Sequence, residues 1–139
     1  MSTFEYYNPN PKIRRRADGT PLRWHRGDCS VRAICKALDL SWEDAYKKLT
    51  DEGLRQYREM NSSKVITKVL ADGGYEKISL PTPPEGGRPT FDWLAANSDR
   101  DKKMVVFTAG HVATIADGKV HDTGSGSRWC CATMVWRQK

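Results

Sequence analysis

Apolar positions recur at helical spacing through the first half of the chain and at strand spacing through the second. Val31, Ile34, Cys35 and Leu38 form one stripe of a 3.6-residue period, with Asp28 in the N-cap position just ahead. Ser41-Trp-Glu-Asp44 has the form of a capping box, and Trp42, Ala45, Tyr46 and Leu49 predict a second helix running towards Met60, with Gly53 as a breaking point. Ser62 or Ser63 caps a third, with Val65, Ile66, Val69 and Leu70 on its apolar side and Gly73-Gly74 at its end.

Tyr75 to Leu80 reads as a short strand, and Pro81-Thr-Pro-Pro-Glu-Gly-Gly-Arg-Pro as a loop that neither a helix nor a central strand accommodates. Thr90 begins a short helix through Phe91, Trp93 and Leu94. Met104 to Thr108, Val112 to Ala116, Lys119 to Asp122 and Ala132 to Trp136 supply strands. Helices first and an antiparallel sheet after them is an α+β order.

The chemistry is concentrated at three points. Cys29 falls in the first turn of the first helix, where free backbone N–H groups and the positive end of the dipole favour a thiolate and can donate to an oxyanion. Asp117-Gly118 is a two-residue hairpin signal; with it as the loop, Ala116 pairs with Lys119, Ile115 with Val120, Thr114 with His121 and Ala113 with Asp122. His111, Ala113 and Asp122 then share a face, with His111 and Asp122 as diagonal neighbours roughly 7 Å apart at Cβ. His121 goes to the other face, a choice that a one-residue slip would reverse.

Asp28-Cys29 opening a helix, Gly110-His111-Val-Ala-Thr-Ile on one strand and Asp117-Gly-Lys-Val-His-Asp122-Thr on the next resemble the papain-like cysteine peptidase superfamily, and within it compact microbial and phage-type members with a Cys, His, Asp order and no second domain. The resemblance implies acyl transfer: Cys29 as nucleophile, His111 as general base and then acid, and Asp122 orienting the imidazole. Where that family commonly places an oxyanion-binding Gln shortly before the nucleophile, this chain has Leu22-Arg23-Trp24-His25. The Cys29 N–H, helped by Arg23, the Trp24 indole or His25, is the substitute, and Asp28 and Gly110 complete the candidate oxyanion and substrate-binding set.

Cys29, Cys35, Cys130, Cys131, His25, His111 and His121 include no Cys-x-x-Cys and no His-x-x-x-His, so no metal or other cofactor is expected. Cys130 and Cys131 are adjacent on the expected last strand. Four cysteines without a signal peptide suit a reducing compartment, and with no apolar run of the ~20 residues that a span needs, a cytoplasmic protein without membrane attachment is the expectation.

A length of 139 residues gives one domain, expected over residues 25–139 as a papain-like unit behind a basic, extended N-terminal arm of residues 1–24 with an Asp18-Gly19 turn. The net charge of +6 brings in a second class of function. Arg14, Arg15 and Arg16, with Arg23, Arg26, Tyr6, Tyr7 and Trp24, offer a weak nucleic-acid contact. The two readings are therefore a small cysteine hydrolase acting on a protein, peptide or peptidoglycan-type amide, and a catalytically idle module whose basic surface meets nucleic acid or an acidic host protein.

Overall fold

Three side-chain caps set the helix starts in the computed structural model, which describes residues 2–12, 15–20 and 27–139. The Ser41 hydroxyl accepts from the Asp44 N–H at 3.1 Å, Ser62 from Val65 at 3.3 Å and Thr90 from Trp93 at 3.0 Å. Behind them run α2 (Trp42–Gln56), α3 (Ser63–Asp72) and α4 (Phe91–Asn97). The first helix, α1 (Cys29–Leu38), differs: Asp28 holds the N-cap position but its carboxylate makes no cap bond. Helix α2 runs through Gly53 without a break and stops at Tyr57, whose φ of 54° closes it short of Met60. Gly53 serves a close approach instead, since a Cβ there would lie 2.8 Å from the Arg58 carbonyl oxygen.

Six strands form one mixed sheet: β1 (Phe4–Tyr6), β2 (Tyr75–Ile78), β3 (Met104–Thr108), β4 (His111–Ala116), β5 (Lys119–Asp122) and β6 (Met134–Gln138), in the order β1-β5-β4-β3-β6-β2. The chain is α+β as expected, but its sheet is not purely antiparallel, because β1 lies parallel to β5 with Phe4 opposite Val120 and Tyr6 opposite Asp122. The expected extended arm is thus tied in near its start. An unpaired β5 edge would expose its ladder groups, and β1 covers them. The last strand begins at Met134 rather than Ala132, so Cys130 and Cys131 precede it, after a 3-10 helix over Ser125–Trp129. Cys131 makes only an isolated bridge to Thr90 and is exposed.

The apolar run in β3 reflects burial on both faces. Val105 and Phe107 join Val112 and the stripes of α1, α2 and α3 in one core, while Met104 and Val106 join Ala113, Ile115, Val120, Val135 and α4 in the other. Helix α1 is pinned to the sheet by the Thr114 hydroxyl, which donates to the Ala33 carbonyl at 2.8 Å. Among the described residues no helix is long and apolar enough to cross a membrane.

Candidate active site

The Asp117-Gly118 turn has φ of 54° and 72°, the doubly left-handed form that suits a two-residue hairpin. It fixes the register read from the sequence: Ala116 opposite Lys119, Ile115 opposite Val120 and Thr114 opposite His121. His111 therefore opens β4 and Asp122 closes β5 at the end of the hairpin away from that turn. Their side chains meet, His111 Nε2 to Asp122 Oδ2, at 2.6 Å. That bond leaves Nδ1 for the Cys29 thiol, which hydrogen-bonds the imidazole and also accepts from the Val112 backbone N–H. Cys29 is the first residue of α1, where the helix start leaves backbone N–H groups without intrahelical partners.

The electrostatics follow from these contacts. Burial works against a Cys29 thiolate, yet the His111 hydrogen bond and charge, the Val112 N–H and Arg32 together hold its pKa below the ordinary thiol value. Cys35, buried in the same helix without such partners, is pushed up to about 12, chiefly by burial. Asp122 and then Cys29 raise His111 to about 9, against the opposing effect of burial. Asp122, although buried, is held below the usual carboxylate range by His111, Ser127 and the Thr123 N–H. A lowered thiol beside a raised imidazole biases the two groups towards thiolate and imidazolium.

Around this pair lies a cleft of about 500 Å³, lined by Cys29, His111 and Gly110 together with the start of α3 and the chain ahead of β6. Ile66, Phe107, Val112 and Met134 give it an apolar floor; Ser30, Asn61, Ser63, Thr108 and Thr133 supply neutral polar groups. Gly110 forms part of this wall with a φ of +72°, the left-handed region where glycine carries no steric cost.

Asp28 does not turn towards the cleft. Its carboxylate is buried and accepts from Arg32 Nη1, from the Trp42 indole at 3.3 Å and from Asn10 Nδ2 at 3.4 Å. An anion so placed supports the helix start and cannot donate to an oxyanion. Arg23, Trp24 and His25, as well as Arg14 and Arg26, lie outside the described residues. Arg15 and Arg16 are exposed beside the turn at Asp18-Gly19, with the Arg15 guanidinium donating to the Gly19 carbonyl at 2.9 Å. His121 is buried away from the site, bonded through Nδ1 to the Lys119 carbonyl and edge-on to Tyr7; burial and then Lys36 hold its pKa down.

Arg32 is the site residue that sequence reasoning missed. It is 4% exposed and reaches Asp122 Oδ1 at 3.1 Å with Nη2 while Nη1 holds Asp28. A charge set between Val31 and Ala33-Ile34, four residues after an aspartate, was the available signal. Among the described residues no group of three or more His, Cys, Asp and Glu side chains is placed to hold a metal ion, and all four cysteines are free. Comparison of the chain with protein-family models, with curated proteins and with solved structures finds no match.

Proposed function

We propose that this chain is a small papain-like cysteine hydrolase that cleaves an amide through an acyl-enzyme on Cys29. The observation that carries the reading is the convergence of the Cys29 thiol, His111 and the buried Asp122 at one end of an open cleft. In the reaction the thiolate adds to the acyl carbonyl, and the oxyanion so formed takes a hydrogen bond from the Cys29 N–H at the helix start. The His111 imidazolium gives its Nδ1 proton to the leaving amine as the carbon–nitrogen bond breaks, which leaves a thioester. Water then attacks the thioester, His111 takes the proton of the water, and collapse of the second intermediate expels the thiolate and releases the acid.

The lining bears on the substrate. A cleft with an apolar floor and a neutral polar rim favours an acyl group with an uncharged, largely aliphatic side chain. Peptide, isopeptide and peptidoglycan-type amides all present such groups. Free cysteines fit a reducing, cytoplasmic setting, where a thiolate nucleophile persists.

Intact-mass spectrometry during incubation with a panel of acyl-peptide thioesters and amides tests the proposal. The expected result is a transient mass gain on Cys29 equal to the acyl group, cleared by hydrolysis and absent in Cys29→Ala. Absence of any adduct even with the thioesters, the most reactive donors, would leave the idle binding module as the better account.

A further inference from the structure

The buried side chains of α1 are Ser30, Val31, Arg32, Ala33, Ile34, Cys35 and Ala37, and Arg32 is the charged member of that set. A guanidinium removed from water is costly unless carboxylates with good geometry surround it. Here they do. Its fork spans Asp28 Oδ1 on one side and Asp122 Oδ1 on the other, and the side chains of Arg32 and Asp122 are each 4% exposed. Asp28 is fixed in turn by Trp42 and Asn10. A continuous chain of polar contacts therefore runs from α2 beneath the thiol to the catalytic hairpin.

The consequence falls on Asp122. Its Oδ1 is occupied by Arg32 and by the Thr123 N–H at 2.8 Å, so Oδ2 is the oxygen presented to the imidazole. Arg32 also stands three residues after Cys29, on the same side of the helix. We infer that Arg32 is a positioning residue of the site, locking Asp122 in the rotamer that directs His111 Nδ1 at Cys29 and adding a buried positive charge in support of the thiolate. The inference rests on the hydrolase reading and adds to it a specific linkage between the nucleophile's helix and the base's hairpin. Among the described residues, the charged and titratable groups that act on Arg32 are Asp28 just before α1, Cys29 at its start and Asp122 from β5; Trp42 of α2 and Asn10 after β1 are uncharged and bond Asp28. Removing the guanidinium takes away a cation that favours the thiolate, so the sign of the effect is an upward move of the Cys29 titration.

The test is the pH dependence of Cys29 alkylation by iodoacetamide in the full chain, resolved from the other cysteines by peptide mass spectrometry. Arg32→Gln is expected to move the acid limb up by about one pH unit, a roughly tenfold slower reaction at pH 6. Arg32→Lys, which keeps a charge without the fork, recovers most of that loss. Because Arg32→Gln strands two buried carboxylates and can fail to fold, Asp28→Asn supplies a companion of opposite sign: it keeps one oxygen for Arg32 while giving up the acceptor used by Trp42 and Asn10, frees the guanidinium of one counter-charge and lowers the limb. An unmoved limb in the folded variants, with the wild-type limb still low, makes Arg32 a structural strut and overturns the inference. A wild-type limb at the ordinary thiol position overturns the hydrolase reading itself.

Discussion

Asp122 has two carboxylate oxygens and divides them between different tasks, Oδ2 to His111 and Oδ1 to Arg32 and the Thr123 N–H. The division decides what a substitution does. In Asp122→Asn the amide has one oxygen to offer His111, Arg32, the Thr123 N–H and Ser127, so either the imidazole or the guanidinium faces an NH2 group. On the proposed hydrolase mechanism a misdirected imidazole loses its general acid–base assistance, and turnover of an acyl-enzyme substrate is expected to fall by about a hundredfold or more with KM little changed. Steady-state kinetics on any thioester accepted by the wild type checks this, and an unchanged kcat would remove Asp122 from the mechanism. Arg32 shows why part of the site was not legible beforehand: its partner Asp122 is 90 residues away in sequence, and a lone arginine in a helix reads as a solvated charge until that carboxylate is brought under it.

At the scale of elements, local chemistry marked out most of the fold. The Asp117-Gly118 turn and strict alternation fixed the β4–β5 register, and with it the meeting of His111 and Asp122, because both signals lie within one hairpin. The caps at Ser41, Ser62 and Thr90 were equally local. Strand β1 had no such signal: three residues gain their conformation only from pairing with β5, more than a hundred positions on. The apolar character of Cys130-Cys131-Ala132 reads as an earlier start of β6, whereas the chain there bridges Thr90. Gly53 reads as a place where the helix can break, whereas its role is steric. On helix propensity alone, Gly53→Ala would gain about 1 kcal/mol. The added carbon would instead sit 2.8 Å from a backbone oxygen that has no easy retreat, so a net loss of roughly 1–3 kcal/mol is expected in urea unfolding. A stabilised Ala variant would mean that the α2 to α3 connection yields.

Over the whole molecule, Cys29 and His111 lie 82 positions apart in the chain and are held together by packing. Helix α1 is fastened to the sheet through Thr114 to Ala33 and through Lys103 Nζ to the Lys36 carbonyl at 2.7 Å, so Cys29 meets the hairpin end in one defined place. The resulting pair has a pH window whose limits follow from the two perturbed groups. Below the lowered Cys29 value the thiolate is protonated; above about 9 the imidazolium loses its proton, and with it go the charge support for the thiolate and, on the proposed mechanism, the acid for the leaving group. The measurement that tests this most directly is the rate of Cys29 alkylation against pH in the wild type and in His111→Ala. The account predicts a wild-type acid limb below the ~8.5 of an ordinary thiol and a second change near pH 9, with a single limb returned to the ordinary position in His111→Ala. One ordinary limb shared by both proteins would contradict it.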